Sequence, residues 1–520
     1  MSKRDNPVVL VLALFVTLCL IGGGFWLLGR MAPGLIPIPG SSQTNTPRKT
    51  NQLTILGDTF SGYSTFRSSE FQEALKEVGL SLTYQDEFDQ AQRAQLLNQG
   101  KADLFVTTLD QFLKQQPQGK IVGLIDRTVG ADAVVLNTKK YPSLKSLLDL
   151  SKLVQEKQSQ GEKLSLAYAG DTPSEYLALV LSTKFEAFKL SDFEVKEVGD
   201  ASEAWQLLQD PNENVAVAVV WEPFVTQARQ QGYTVVLSSK DAPKAIVDVI
   251  VASEGLIQSQ SSKIGELLEA YYRRIDANVR QPSQLQEQIA EDGNLSTNDA
   301  ATVLDGIDFF SAVEAKDWMT DGTLEKRIGS TAAVLVLTGK MNQVPQNPQE
   351  LFNSQFITKA ASNTETLIEL VQADNPELAE RLAGKGNTIA STPTVSASQV
   401  QTAPDIGNLQ VRGEVKFDSG SAELTNEGKE TLGKLAQEIK EFNPQTVAVR
   451  VIGHTSKTGT PEFNQKLSQE RAQVVVNDLR NQGLQHKFVP EGKGFYLPMT
   501  GISPEDPRQQ RTEIRLVRIN

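Results

Sequence analysis

A chain of 520 residues exceeds one ordinary domain, and 39% hydrophobic against 22% charged residues suits folded cores rather than disorder. A formal charge of -12 excludes a general nucleic-acid binder, which needs clustered Lys and Arg to meet phosphates. One cysteine, Cys19, and two histidines, His454 and His486, exclude intramolecular disulfides, cysteine-based zinc sites and CxxC redox chemistry, and leave the long middle region without metal or triad residues.

The first element is the uncharged run VVLVLALFVTLCLIGGGFWLL at 8–28. Its 21 residues suffice to cross a ~30 Å hydrocarbon core as a helix. Lys3 and Arg4 precede it and keep the short N-terminal tail in the cytoplasm, so residues 1–30 read as cytoplasmic tail and transmembrane anchor. The run exceeds a signal-peptide core and no A-x-A-like site follows Trp26, so an uncleaved inner-membrane anchor is expected. Its only neighbouring acid, Asp5, lies outside the run; a flagellar stator would carry an acid within its helix.

Residues 31–50, MAPGLIPIPGSSQTNTPRKT, form a Pro/Ser/Thr linker, and 388–405, TIASTPTVSASQVQTAPD, a second one. Between them, 51–345 alternates short β-like runs with amphipathic stretches: LTIL before FQEALKEVG, LSLAYA before PSEYLALVLSTKF, VAVAVV before PFVTQARQQG. That alternation predicts parallel sheets covered by helices, arranged as two α/β lobes with a cleft and joined near 127–134 and 233–248. Residues 346–387 form a helical extension, with Asn375-Pro376 a helix start.

Four pieces, GKAD at 100–103, AGDTPSEY at 169–176, WEP at 221–223 and IVDVIVAS at 246–253, occur in an order and spacing that resembles periplasmic solute-binding proteins of the nitrate/sulfonate/taurine type. The resemblance covers about 51–345 and implies a substrate-binding component of ABC transport. Some proteins of this fold are thiamine-pyrimidine synthases, for which the resemblance would imply an iron site rich in His and Cys. The middle region contains neither residue type, so no catalytic residues, cofactor or metal are assigned and a non-enzyme is expected.

Ligands of such folds sit outside the carboxyl ends of strands, facing helix N-termini. Two hydroxyl-rich helix starts supply candidates: Asp58, Thr59 and Ser61 in GDTFSGYST, and Asp171, Thr172 and Ser174 in GDTPS. Free N–H groups, the helix dipole and hydroxyls favour a small anion such as phosphate, sulfonate or nitrate, although the same residues serve as plain N-caps. Thr107 and Thr108 follow the strand ADLFV at the same edge, and Trp221 and Glu222 end VAVAVV. Asp248 interrupts an apolar run and needs a partner, either an arginine such as Arg127 or a ligand amine.

The last segment, 406–520, contains EVKFDSGSAEL, GHTSKTGTPEFNQKLSQERA and RTEIRLVRI. It resembles OmpA-like peptidoglycan-binding domains, an α+β fold. In that family the acid of GHTD and the arginine of LSxxR grip the ammonium and carboxylate of the diaminopimelate stem. The resemblance therefore implies peptidoglycan binding by Thr455, Ser456, Asn464, Leu467, Arg471 and Arg511. Ser456 stands where the acid belongs, and Gln510-Arg511 where two arginines are usual, so weakened or altered wall binding is expected. His454 shapes the loop, and His486 is expected at the surface.

Together these readings give a single-pass inner-membrane protein with its bulk in the periplasm of a Gram-negative-type cell. It captures a small anion for an ABC permease or a membrane sensor and associates with peptidoglycan. The alternative is a structural tether between membrane and wall whose lobes bind nothing.

Overall fold

The computed structural model describes residues 51–293, 295–385, 395–411 and 413–519. The apolar run 8–28 and the first linker lie outside the described residues. Among those described, no helix is long and apolar enough to cross a membrane.

Residues 51–520 form one compact unit. Its first lobe is built on β1 (Gln52–Gly57), β2 (Ser81–Asp86), β3 (Leu104–Thr108) and β4 (Gly119–Thr128). The second uses β5 (Asp132–Leu136), β6 (Ser165–Ala169), β7 (Glu194–Val198), β8 (Val215–Trp221) and β9 (Thr234–Ser238). The chain then returns to the first lobe as β10 (Val247–Ser253) and β11 (Ile307–Phe309). Sheet orders are β11-β4-β10-β3-β1-β2 and β7-β6-β8-β5-β9.

The expected all-parallel sheets are mixed. In each lobe the strand that has just crossed from the other lobe runs antiparallel to its neighbours: β10 between β3 and β4, and β5 between β8 and β9. A strand entering from the cleft side must run against strands that lead out toward it, and both crossings deliver the chain that way. The edge strand β11 also runs antiparallel to β4, while β1 with β2 and β3, and β6 with β7 and β8, are parallel.

The helical extension, described to residue 385, packs onto the first lobe. Its helix Thr358–Val371 packs on helices Ser261–Arg280 and Ala312–Thr320 of the first lobe, with Ala360 and Ala361 buried in that lobe's core. The second predicted linker is also partly folded. Ser396 and Gln399 form a reciprocal capping box on helix Ala397–Thr402, Val400 is fully buried, and β12 (Asp405–Asn408) begins immediately after.

β12 joins β13 (Val447–Gly453), β14 (Phe488–Gly492) and β15 (Thr512–Arg518) in the order β12-β15-β13-β14. Helices Asn426–Ile439 and Pro461–Asn481 cover this sheet; Leu432, Leu435 and Ile439 of the first and Val475 and Leu479 of the second are buried. The domain shares a continuous core with the second lobe: Leu147, Phe185 and Phe188 cluster with Ile406, Leu409 and Phe442. Phe185 bridges to Leu409, and Arg518 Nη2 reaches Asp241 Oδ2 at 2.7 Å. Arg327, from helix Thr323–Leu337 of the first lobe, pairs with Glu441 at 2.5 Å. The C-terminal domain is thus seated where the two lobes meet, not suspended on a tether.

Candidate functional site

The cleft ends of β1, β3, β10 and β4 line up along one edge of the first sheet. Register places Asp248 opposite Thr108 on one side; on the other, a bulge between the pairs Val247–Arg127 and Val249–Leu124 sets it against Ile125 and Asp126. Thr108 and Asp248 share a face as cross-strand partners, and Asp126 acts electrostatically on Asp248 across the bulge, so the three form a row. All three are buried. Tyr63, in the short turn Ser61–Tyr63, donates its hydroxyl to Asp248 Oδ1.

Asp126 keeps both carboxyl oxygens, and Asp248 its Oδ2, without a hydrogen-bond partner. Burial pushes both carboxyls well above the usual range, and the nearby acids Asp308 (on Asp126) and Asp126 (on Asp248) add to it. Two further buried acids continue toward the second lobe. Asp110, on helix Leu109–Gln115, is raised by burial to about 6. Asp132, at the start of β5, is raised by burial to about 7, with Asp110 and Glu222 contributing. Four carboxyls therefore run from one lobe into the other.

Nearby cations are already committed. Arg93, fully buried, reaches Asp58 at 2.5 Å and Val106 O at 2.8 Å. Arg127 clamps Asp308 and, at 2.6 Å, Glu314, and lies over the rings of Phe310 and Trp318. The expected pairing of Asp248 with an arginine such as Arg127 does not occur. Successive residues of a strand point to opposite faces, and Arg127 faces away from the row. Lys114 crosses the cleft to Asp171 and Glu175, and Lys340 also pairs with Glu175.

The anion expectation rests on the two helix starts. At the first predicted helix start, Phe60 N is taken by Asp58, and Tyr63 N by Phe60 O. At the second, Asp171 N is taken by Glu175, and Pro173 has no N–H to offer. No side chain caps the turn at Phe60 or the helix at Thr172, so first-turn N–H groups remain without a side-chain partner at both starts.

Several predicted residues have structural duties. Asp58 positions Arg93, and Asp171, at φ 56°, latches the lobes. Thr172 Oγ1 bonds Ala169 O at 2.8 Å, and Ser174 Oγ bonds Asp132 Oδ1 at 3.2 Å. Thr107 Oγ1 bonds Gln90, and Glu222 caps its own helix through Thr226. Trp221 packs half-buried against the outer core of the second lobe, Ser61 is half-buried and Thr59 exposed. Sequence reasoning found Asp248 but missed Asp110, Asp126, Asp132, Tyr63 and Tyr271. Asp126 carried the same signal as Asp248, an acid inside an apolar run, IVGLIDRT.

In the C-terminal domain, Thr455, Ser456, Asn464, Leu467 and Arg471 are all buried around one loop. Asn464 Nδ2 holds that loop through Thr458 O at 2.8 Å. Arg471 stacks 5.0 Å over the ring of Phe417 and bonds Ser421 O at 2.9 Å and Gln510 Oε1 at 3.0 Å. No ion pair to Arg471 exists among the described residues. Burial holds its guanidinium below the usual range. Ser456 Oγ lies 3.1 Å from Thr458 Oγ1 and 3.4 Å from Gln510 Nε2.

Arg511 turns instead to Glu513 at 2.8 Å, so Gln510 is the residue that completes this site. His454 Nε2 lies 3.1 Å from Glu513, which supports a loop-shaping role. His486, expected at the surface, is buried against Phe442 O at 3.0 Å, and burial lowers it to about 4.

A model of the OmpA family matches residues 416–512, and one described as NMT1/THI5 like matches 75–285. Outer membrane protein A of Shimwellia blattae is 33% identical over 113 residues, 22% of this chain and 45% of that protein. Probable lipoprotein YiaD of Escherichia coli (strain K12) is 36% identical over 109 residues, 21% of this chain and 49% of that protein. These alignments span less than half the length of either relative. Among solved structures, the periplasmic aliphatic sulphonate binding protein of Escherichia coli aligns with TM-score 0.46 at 16% identity, covering 59% of this chain and 93% of that one. The ligand-binding component of an ABC-type import system from Staphylococcus aureus aligns with TM-score 0.44 at 12% identity, covering 60% and 99%. Residues 75–285 are therefore similar to the NMT1/THI5 like family and residues 416–512 to the OmpA family.

Proposed function

We propose that this chain is an envelope solute receptor, anchored in the inner membrane by 8–28 and held near the cell wall by its C-terminal domain. The observation that carries the reading is the pair of crossing strands, β4 into β5 and β9 into β10, which bring buried polar side chains from both lobes to one cleft. A ligand closing the lobes would move the surfaces against which the C-terminal domain is seated. An ABC permease or a membrane sensor would read that closure. Anchoring raises the effective concentration of the receptor near such a partner.

Wall association is expected to be weak. Arg471 supplies a donor for a carboxylate, while Ser456 supplies no charge for an ammonium. Loss of a charged hydrogen bond costs roughly 1.5–3 kcal/mol, about tenfold to a hundredfold in affinity.

The test is thermal stability of the full chain against a panel of small amines, zwitterions and oxyanions. A ligand at 100 times its Kd stabilises by about 2.7 kcal/mol. A selective shift supports the receptor. A panel without effect favours the alternative, a membrane-to-wall tether, for which the ion-paired cleft and the shared core give a rigid body.

A further inference from the structure

The most unusual chemistry of the described residues is the row Asp126–Asp248. Side by side on adjacent strands and out of water, the two carboxyls cannot both ionise without a countercharge. Their neighbours form no ion pair with them: Arg93 is held by Asp58, Lys114 by Asp171 and Glu175, and Arg127, which offsets Asp126 only at a distance, by Asp308 and Glu314. Native proteins seldom leave buried polar oxygens unpartnered, and here three lie together: both oxygens of Asp126 and Oδ2 of Asp248.

An independent group points the same way. The hydroxyl of Tyr271, fully buried on helix Ser261–Arg280, has no hydrogen-bond partner and interacts electrostatically with both carboxyls. Tyr272 beside it shows the ordinary alternative, bonding Leu124 N at 3.1 Å and Leu124 O at 2.7 Å. Above the row, the turn Phe60–Tyr63 closes so tightly that a Cβ at Gly62 would collide with Asp126 Oδ2 and the Phe60 ring. Phe60 and Tyr63 meet edge to face with centroids 5.2 Å apart. Aromatic rings beside carboxyls suit a cation. Among the described residues no three His, Cys, Asp or Glu converge as metal ligands, so an organic cation fits better than a metal ion.

We infer that the cleft binds a small molecule bearing a protonated primary amine, with its –NH₃⁺ head held between Asp126 and Asp248 beneath the Phe60–Tyr63 turn. The match is one of number as well as charge. An ammonium has three N–H donors, and three carboxyl oxygens lack donors. A quaternary ammonium brings the charge without the donors and leaves those oxygens orphaned. The inference rests on the solute-binding reading and names the ligand class of that same cleft.

Calorimetric titration of the full chain tests it, with methylamine, ethanolamine and putrescine as primary amines, choline as the quaternary control, and methanesulfonate and nitrate as oxyanions. At least one primary amine should bind, choline at least tenfold more weakly, and the oxyanions not at all. Asp126→Asn should weaken the amine by a hundredfold or more. Tyr271→Phe, which removes an unpartnered hydroxyl and so spares the fold, should weaken it several-fold. Choline binding as tightly as ethanolamine overturns the donor match. Oxyanion binding without any amine binding overturns the ligand class but leaves the receptor standing. Silence from every compound overturns both.

Discussion

The cleft and the C-terminal site are unbalanced in opposite senses. In the cleft, Asp110, Asp126, Asp132 and Asp248 are buried while the nearest cations are committed elsewhere. In the C-terminal site, Arg471 is buried against a ring, a main-chain carbonyl and an amide, and the position that would hold an acid is Ser456. An unpaired buried charge is costly, so each site gains most from a ligand that brings the missing partner. The cleft asks for a cation. The C-terminal site offers the Arg471 guanidinium to a carboxylate and, at Ser456, no charge to an ammonium.

The largest expected effect concerns the seam between these regions. Phe185 is 2% exposed, and its ring lies 6.0 Å from Phe442 across the junction of second lobe and C-terminal domain. Phe185→Ala should cost about 3–5 kcal/mol in denaturant unfolding of the full chain. A loss below about 1 kcal/mol would mean the two regions are independent bodies that merely touch.

The two regions should also respond oppositely to pH. Asp110 and Asp132, raised to about 6 and about 7, hold protons in the folded state that the unfolded chain releases near pH 4. Stability of the unliganded cleft therefore falls as pH rises from about 4 to 7, by on the order of 3 kcal/mol for Asp110 alone. The groups facing this pair are Thr108, Gln111, Glu175, Ser174, Glu222 and Asp248, and one cation, Lys114, which is itself paired with Asp171 and Glu175. His486, lowered to about 4, works the other way: the unfolded chain binds its proton first, so the C-terminal domain gains stability as pH rises from 4 to about 6.5. Melting curves of Asp132→Asn and His486→Gln separate the terms. The first variant should flatten the fall and the second the rise; identical pH profiles for both variants and the parent would refute the contrast.

Much of this was legible in the sequence. The motif GHTSKTGTPEFNQKLSQERA singled out Thr455, Ser456, Asn464, Leu467 and Arg471, which the structure buries around one loop, because that loop and its helix are contiguous in the chain. The cleft is assembled from four strand ends far apart in sequence, so only its isolated oddity, Asp248, stood out. Asp126 was hidden by Arg127 beside it, which suggests a local ion pair. The strand's alternation instead sends the two to opposite faces. The direction of β5 and β10 had no local signal, since a crossing strand looks like any apolar strand. Ser396 and Gln399, read as linker composition, are a capping box only once Val400 has a sheet to cover. His486 looked like a surface residue because its partner is a main-chain carbonyl, which sequence does not reveal.

The charge asymmetry of the wall site can be reversed by one residue. Ser456→Asp restores an acid beside Gln510 and near Arg471, and should raise sedimentation of the full chain with purified sacculi by tenfold to a hundredfold, roughly 1.5–3 kcal/mol. Arg471→Ala should abolish what binding there is. If it sediments as well as the parent, the inherited site is idle and the domain is held at the wall, if at all, by another surface.

The smallest expected effect decides whether the cleft's exposed acid belongs with its buried ones. Asp171 pairs with Lys114 across the lobes, yet its side chain is 52% exposed. Exposed pairs contribute about 0–1 kcal/mol, so Asp171→Asn should barely lower the melting point and should leave amine affinity unchanged. Glu175, 2% exposed and between Lys114 and Lys340, is the pair's buried counterpart. Glu175→Gln strands Lys340 and removes one of the two partners of Lys114, and should cost more than Asp171→Asn in the same melt. Equal costs would mean that the latch is solvent-screened throughout. A loss of amine binding in Asp171→Asn would place this residue among the ligand's contacts and extend the site to the helix start at 170–174.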